Sequence, residues 1–274
     1  MMPNYQTIRL QRTGHVAEIV LNRPAQLNAM DREFFDEIRD AARTVDADDQ
    51  VRAVLLWSEG RAFSVGLNLR EGEALLAGRE TFASDADRNR ALHQTIRDFQ
   101  SSFTAVRKCR KPVIAAISGM CLGGGLDLAT ACDIRLCSAD AVFSVQETRM
   151  AMVADLGTLQ RIARLTGRGF ARELAFTGRS ISAQRALAAG LVNEVLADKP
   201  ALLESARAMA FEIAGHSPFA IRGIKCVMDQ AEEASEDEGL EYVAQWNASF
   251  FFTRDLAEAR QAFLEKRAPR FEGR

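Results

Sequence analysis

The amino-acid sequence predicts an α/β fold, because short apolar strands alternate along the chain with amphipathic helices. Val51–Trp57 and Val113–Ile117 are continuous apolar runs of strand length, as expected for strands that are buried on both faces. Hydrophobic residues make up 47% of the chain and charged residues 26%, a balance that supports a packed interior. We therefore expect a largely parallel sheet that is covered by helices.

The N-terminal elements are a hairpin and a helix. Thr7–Leu10 and Val16–Leu21 are rich in β-branched and apolar residues and flank Thr13-Gly14, which is a turn signal. From Asp31 onward apolar residues recur at helical spacing, with acidic residues near the start, where the helix dipole favours them. The apolar residues of this helix are Phe34, Ile38, Ala41, Ala42 and Val45.

The middle of the chain continues the alternation. A polar stretch from Arg70 to Asp87 is expected to be mobile surface, and a helix with an apolar stripe follows it. That stripe consists of Leu92, Ile96, Phe99, Phe103 and Val106. Further strands are predicted at Ile134–Cys137, Ala141–Val145 and Leu191–Leu196, and further helices at Leu126–Ala131, Thr158–Leu165 and Ala171–Phe176.

After Lys199-Pro200 the pattern predicts helices only. They are expected at Ala201–Ala214, at Pro218–Gln230 with Ser217 as N-cap, and twice more before the end. We predict a core of residues 1–199 and a helical oligomerisation subdomain of residues 200–274. Because this subdomain carries more aromatic surface than a short helical tail can bury, we expect it to pack on another subunit. The aromatic residues in question are Phe250, Phe251, Phe252 and Phe263.

Charge and cysteine usage narrow the function classes. The formal net charge is −2, from 35 basic and 37 acidic residues, so neither nucleic acid nor an anionic membrane is an expected partner. The five cysteines form no Cys-x-x-Cys pair and are read as free thiols in a reducing compartment. Only six residues precede the first predicted strand, and we expect no targeting segment, no membrane helix and a cytoplasmic location.

A glycine-rich corner is the densest chemical signal. Gly119–Asp127 contains three consecutive glycines after a buried strand and before a helix, where free backbone N–H groups can stabilise negative charge. A tight strand–helix turn that needs small residues would give the same pattern, and this alternative stays open. The spacing fits neither a Walker A phosphate loop nor a dinucleotide fingerprint.

A second glycine loop follows another buried strand. Arg61–Leu67 places Gly66 beside an N–H group that could be free. Two such N–H groups aimed at one point would form an oxyanion hole, which is often the largest single catalytic contribution in acyl chemistry.

Three carboxylates lie in apolar surroundings: Asp127, Glu147 and Asp155. Burial raises the pKa of a carboxyl group toward neutrality and suits it to general acid or base catalysis. Each acid could instead be a surface charge or a helix cap, and Asp155 in particular could cap the helix after Gly157. No histidine accompanies these acids at ligand spacing, so no metal is expected, and no triad is assigned to His15, His93 or His216.

Ile114–Val195 resembles the signature region of the crotonase (enoyl-CoA hydratase/isomerase) superfamily. Leu-Gly-Gly-Gly, Ala-Cys-Asp-Ile-Arg and Ala-Gly-Leu-Val occur there in order, and the likeness extends to residues 21–29 and 262–267. The resemblance implies a crotonase-like spiral of ββα units with a helical C-terminal subdomain, and a trimer or hexamer. It also implies an acyl-CoA thioester substrate with no cofactor other than that coenzyme A.

The resemblance also implies roles for particular residues. The two oxyanion-hole donors would be the N–H groups of Leu67 and Gly124, and the catalytic acids Asp127, Glu147 and Asp155. Aspartates at both 127 and 155 are most similar to Δ3,5-Δ2,4-dienoyl-CoA isomerases, whereas hydratases have glutamate at position 127 and glycine at position 155. In this reading the enzyme isomerises 3,5-dienoyl-CoA to 2,4-dienoyl-CoA in fatty-acid β-oxidation.

Contacts to the substrate and its coenzyme A follow from the same resemblance. The positions it implies are Arg23, Leu27, Ala62, Val65, Gly123, Phe263 and Lys266. Asn68 stands where many relatives have aspartate, and Arg149 lies near the implied acyl pocket, so acyl-chain length stays open. Two alternatives are an enoyl-CoA hydratase, which is a lyase, and a non-catalytic or RNA-binding homologue.

Overall fold

Two β-sheets organise the protein in this computed structural model, which describes residues 3–69 and 82–273. The strands are β1 (Ile8–Thr13), β2 (Val16–Leu21), β3 (Ala53–Ser58), β4 (Ala62–Ser64), β5 (Val113–Ile117), β6 (Met120–Leu122), β7 (Ile134–Ser138), β8 (Val142–Ser144), β9 (Ile181–Ser182) and β10 (Glu194–Leu196). One sheet has the order β1-β2-β3-β5-β7-β10 and is parallel except for the β1–β2 hairpin. The other has the order β4-β6-β8-β9, with only β8–β9 antiparallel.

Helices cover and connect the sheets. They are α1 (Arg32–Ala47), α2 (Asp85–Arg107), α3 (Gly124–Ala131), α4 (Thr158–Thr166), α5 (Arg168–Thr177), α6 (Ala183–Ala188), α7 (Lys199–Gly215), α8 (Pro218–Ala231), α9 (Glu236–Phe250) and α10 (Arg254–Glu265). Single 3₁₀ turns lie at Pro24–Gln26 and Glu147–Met150. Helix α1 begins as predicted, because the Asp31 carboxylate accepts the Phe34 N–H at 2.9 Å.

The strands and helices repeat as a unit. In β3–β4, β5–β6 and β7–β8 the first strand joins the six-stranded sheet and the second joins the four-stranded sheet, and a helix follows each pair. This confirms the predicted α/β class and the spiral of ββα units. The repeat brings the ends of β4, β6 and β8 side by side, and the candidate site residues lie just after those ends.

Several local predictions differ from the structure. Strands β4, β6 and β9 are only two or three residues long and were not predicted, nor was α6. Of the strand predicted at Leu191–Leu196, only the last three residues are extended in the sheet. Ser217 stands at the N-cap of α8, but its hydroxyl donates to Asp255 Oδ2 at 2.6 Å instead of capping. Most of the polar stretch from Arg70 to Asp87 lies outside the described residues, while its end belongs to α2.

The hydrophobic core has two parts. The larger part includes Phe35, Phe63 and Phe103 and lies between the sheets and helices α1 to α5. The smaller part lies under α7, where Leu202, together with three alanines of the same helix, packs on the six-stranded sheet. Helix α7 therefore shares its core with the preceding residues, and the division into units at position 199 stays a prediction. Within the described residues, no helix has the length and apolar character needed to cross a membrane.

Candidate active site

The two glycine loops meet at one corner of the molecule. Gly66 has a φ of 86°, and a Cβ there would lie 2.8 Å from Gly124 N and 2.9 Å from Leu122 O. Only glycine allows this approach and this backbone conformation without strain. Ser64 Oγ accepts the Gly66 N–H at 3.1 Å and donates to Asn28 O at 2.8 Å, which fixes the loop.

The predicted oxyanion donors lie at this corner. The backbone of Met30 pairs with the loop on both sides of Leu67. The Met30 N–H donates to Gly66 O at 2.8 Å, and the Met30 carbonyl oxygen accepts the Asn68 N–H at 2.7 Å. The Leu67 N is 3.7 Å from the position a Cβ on Gly124 would take. Neither Leu67 N–H nor Gly124 N–H donates to an acceptor in residues 3–69 and 82–273. Gly124 begins α3, where first-turn N–H groups lack an intrahelical acceptor.

Asp127 lies in the first turn of α3 and is 1% exposed. Its Oδ1 accepts the Thr158 N–H at 2.6 Å, while its buried Oδ2 has no hydrogen-bond partner among the described residues. Burial raises the pKa of Asp127 to about 6, and the Thr158 hydrogen bonds and the Arg161 charge act in the opposite direction. The alternative of a surface charge is therefore wrong for Asp127.

Glu147 follows β8 and begins the 3₁₀ turn Glu147–Met150. Its Oε1 lies 3.2 Å from the position a Cβ on Gly123 would take, so its carboxyl faces the glycine corner. Its Oε2 is buried without a partner in the described part of the chain. The pKa of Glu147 is raised to about 7, mainly by burial and in addition by the negative charges of Asp127 and Asp155.

Asp155 lies in the loop that precedes α4. Gln100 Nε2 donates to its carbonyl oxygen at 2.6 Å, which links the loop to α2. Desolvation raises the pKa of the Asp155 carboxyl, although the residue as a whole is exposed. The alternative of a helix cap is wrong for Asp155, because Gly157 is the N-cap residue and the Asp127 carboxylate takes the Thr158 N–H.

Of the predicted substrate contacts, Arg23, Leu27 and Val65 belong to loops around the corner, and Ala62 belongs to a strand. Arg23 pairs with Asp31 and donates to Ala29 O at 2.7 Å, which holds its guanidinium within its own loop. Leu27, in the left-handed conformation, accepts the Val65 N–H at 3.2 Å. Ala62 is buried in β4.

The three remaining predicted substrate contacts lie in different parts of the structure. Gly123 lies at the corner itself and donates its N–H to Ser144 O at 3.0 Å. Phe263 is 83% exposed on α10, and Lys266 caps the end of that helix. Within the described residues no hydrogen bond or ion pair joins Phe263 or Lys266 to the corner, and their binding role stays a prediction.

Three residues around the acids had no predicted role: Gln100, Thr158 and Arg161. Gln100 donates to the carbonyl oxygen of Asp155, Thr158 N–H to the carboxylate of Asp127, and Arg161 to the carbonyl oxygen of Asp127. The only sequence signal was the position of Thr158 and Arg161 directly after Asp155. In the described ranges no cluster of three His, Cys, Asp or Glu side chains could hold a metal ion.

Comparisons with known proteins give close relatives over nearly the whole chain. The chain is 44% identical over 271 residues to the mitochondrial Δ(3,5)-Δ(2,4)-dienoyl-CoA isomerase of Dictyostelium discoideum, covering 98% of this chain and 92% of that one. It is 41% identical over 276 residues to the peroxisomal Δ(3,5)-Δ(2,4)-dienoyl-CoA isomerase of Arabidopsis thaliana, covering 98% of each chain. Because these relatives are mitochondrial and peroxisomal, the predicted cytoplasmic location is wrong.

A solved structure and a family model agree with these relatives. The fold superposes with a TM-score of 0.89 on the enoyl-CoA hydratase of Bacillus anthracis, at 33% identity and covering 98% of this chain and all of that one. The family model for enoyl-CoA hydratase/isomerase matches residues 11–274. The chain belongs to the enoyl-CoA hydratase/isomerase family.

Proposed function

We propose that this protein isomerises a 3,5-dienoyl-CoA to the 2,4-dienoyl-CoA by moving one proton from C2 to C6. The observation that carries the proposal is that Asp155 interacts electrostatically with both Asp127 and Glu147, so that the three acids form one charge-coupled set. The pKa values of all three acids are raised, as proton-transfer groups require. The substrate class is supported by the names of the relatives in Dictyostelium and Arabidopsis.

The first step is loss of a proton from C2. The N–H groups of Leu67 and Gly124 hydrogen-bond to the thioester carbonyl oxygen and stabilise the charge that develops there. Asp155, as a carboxylate, accepts the C2 proton, and the electron pair of the C–H bond enters an enolate that is conjugated with both double bonds. Neither donor has an acceptor among the described residues, so both N–H groups are available to the oxygen as charge develops.

The second step is protonation at C6. Glu147 has a pKa of about 7 and is therefore largely protonated below neutrality, so it can deliver a proton to the far end of this enolate. The carbonyl re-forms, and the double bonds end at C2 and C4. Asp155 then releases its proton to solvent and Glu147 takes one up, which returns both acids to their starting states. Asp127 accepts the Thr158 N–H through Oδ1, and in the proposed reaction it orients and electrostatically buffers the other two acids.

Hydration of a 2-enoyl-CoA is the second candidate function. Asp127 and Glu147 both present buried carboxyl oxygens without partners in the described residues, and such a pair could hold a water molecule. The similarity to the Bacillus anthracis hydratase favours this chemistry for the same corner. In this reading Asp155 has no chemical role.

The variant Asp155→Asn separates the two functions. It keeps size and polarity but removes the base, so isomerisation should fall by roughly 10²–10⁴ while any hydration changes far less. Asp49→Asn, an exposed aspartate before β3, serves as the matched control and should leave both rates unchanged. Isomerisation at the wild-type rate in Asp155→Asn would overturn the proposed mechanism.

The proposed reaction needs no cofactor beyond the coenzyme A of the substrate. We further propose that the protein works as a trimer or hexamer, since Phe252 and Phe263 on its C-terminal segments are 94% and 83% exposed. Aromatic surface of this size is normally covered by a partner.

A further inference from the structure

The Arg161 side chain connects the two segments that carry Asp127 and Asp155. Its Nη2 donates to Asp127 O at 2.8 Å and to Leu156 O at 3.2 Å. Its Nε donates to Thr130 Oγ1 at 3.2 Å, and that hydroxyl in turn donates to Asp127 O at 3.0 Å. One guanidinium therefore holds both the helix behind Asp127 and the loop just after Asp155.

The loop passes directly over this guanidinium. Gly157 has a φ of 115°, and a Cβ there would lie 2.1 Å from Arg161 Nη1 and 2.6 Å from Arg161 Cζ. The hydrogen bond from Thr158 N–H to Asp127 Oδ1 closes the same loop from its other side. The position of Asp155 relative to Asp127 thus depends on hydrogen bonds made by Thr158 and Arg161, which lie shortly after Asp155 in the chain.

The charge of Arg161 has no ion-pair partner among the described residues. Burial lowers its pKa, and the nearby Asp127 and Cys132 act in the opposite direction. A half-buried guanidinium without an ion-pair partner is costly, because the protein must replace part of the water that solvates it. Of the three acids, Asp127 is the one whose negative charge acts on Arg161. The other cation that acts on Arg161 is Arg107, whose positive charge also lowers the pKa of Arg161. The thiol of Cys121 interacts with Asp127.

We propose that Arg161 is a positioning residue for the proton-transfer acids, which holds the Asp155 loop against α3 and supplies a positive charge beside the Asp127 carboxyl group. This inference rests on the proposed function for the roles of the acids. Among the described residues, the Arg161 guanidinium donates hydrogen bonds only to backbone carbonyls and a threonine hydroxyl, so it acts on the substrate through the residues it holds.

Two substitutions separate its hydrogen bonds from its charge. Arg161→Met removes both, and Arg161→Lys keeps the charge but lacks the planar fork that reaches two carbonyls at once. Arg164→Met is the matched control, since Arg164 lies one turn further on α4, is 54% exposed and pairs with Glu232 at 2.9 Å.

The expected results differ between the variants. Misplacement of a catalytic group by about 1 Å can cost roughly 10²-fold in rate, so kcat for isomerisation should fall by about that factor in Arg161→Met and by less in Arg161→Lys. Loss of the positive charge favours the protonated form of the Asp127 carboxyl group, so the part of the pH profile that follows Asp127 should move to higher pH in Arg161→Met. The profiles of Arg161→Lys and Arg164→Met should stay at the wild-type position.

A titration of the Asp127 carboxyl carbon by NMR gives a readout that does not depend on turnover. Its midpoint should rise in Arg161→Met, because the charge that favours the ionised carboxylate is gone, and should stay unchanged in Arg164→Met. If the wild type does not isomerise dienes, the proposed function fails, while this titration still decides the electrostatic role of Arg161.

Two outcomes would overturn the inference. One is an Arg161→Met protein that is folded by circular dichroism and matches Arg164→Met in kcat, pH profile and Asp127 midpoint. The other, which decides the matter if Arg161→Met does not fold, is a folded Arg161→Lys protein with the full wild-type kcat.

Discussion

At the residue scale, the buried acids couple proton-transfer chemistry to stability. Asp127 is 1% exposed, and one of its carboxyl oxygens has no partner among the described residues. The energetic cost of keeping it ionised appears as a pKa of about 6, compared with about 4 for a solvated aspartate. Keeping this carboxyl group ionised in the folded protein therefore lowers the stability of the fold.

We expect Asp127→Asn to be more stable than the wild type at pH 8 but not at pH 4. The folded-state pKa lies above the unfolded one, so the wild type loses stability as pH rises from about 4 to about 6 and does not regain it above. The amide keeps an acceptor for Thr158 N–H and carries no charge. The difference in unfolding free energy at pH 8 should be about 1–3 kcal/mol. Chemical denaturation at both pH values measures it, and an equal difference at both would refute this explanation.

Glu147 sets the alkaline limb of the pH profile in the proposed reaction. It must be protonated to deliver a proton to C6, and its pKa is raised to about 7 by burial and by the neighbouring acids. We expect kcat/KM for a 3,5-dienoyl-CoA to fall about tenfold per pH unit above this value. A profile that keeps rising from pH 7 to pH 9 would exclude Glu147 as the acid. Glu147→Gln should remove both isomerisation and hydration.

At the element scale, the start of α3 supplies one of the two oxyanion donors. Gly124 is the first helical residue, a position where proline is tolerated in helices, and replacing it by proline deletes the N–H donor and shifts the backbone around it. We expect Gly124→Pro to lower kcat by roughly 10²–10³.

Gly124→Ala is the matched control for this variant, because it keeps the N–H. Its added Cβ would lie 3.2 Å from the flexible thioether of Met30. Steady-state kinetics on both folded variants provides the test. Equal activity in the two variants would mean that the Gly124 N–H does not contact the substrate.

The sequence predicted the long elements of the fold and missed several short ones, namely β4, β6, β9 and α6. β5 was predicted residue for residue, and the helices around Phe34 and Phe103 follow their apolar spacing. The two- or three-residue strands carry too few residues for a periodic pattern, and their pairing depends on partners distant in the chain.

The same distinction applies to the candidate site. Asp127 and Glu147 follow recognisable motifs and were predicted together with Asp155. The alternative in which Asp155 caps α4 was wrong, because the Thr158 N–H at the helix start donates to Asp127, which is 31 residues before Thr158 in the chain. The contacts of Arg161 to backbone carbonyls leave no pattern in the sequence, since any residue can supply a carbonyl oxygen.

At the scale of the whole molecule, the C-terminal segments carry the two aromatic side chains with the highest exposed fraction among the described residues. Phe252 is 94% exposed and Phe263 is 83% exposed. We expect light scattering to give the mass of a trimer or hexamer at micromolar concentration, and Phe252→Ser to weaken that assembly. A stable wild-type monomer under these conditions would count against the proposed oligomer.

The most direct test of the central claim is a product assay with two substrates side by side, a 3,5-dienoyl-CoA and a 2-enoyl-CoA. The proposed function predicts conversion of the diene to 2,4-dienoyl-CoA, seen as new ultraviolet absorbance when both double bonds become conjugated with the thioester. It also predicts that Asp155→Asn loses this conversion. No change in the diene, together with water addition to the 2-enoyl-CoA and loss of its conjugated absorbance, would contradict the isomerase assignment.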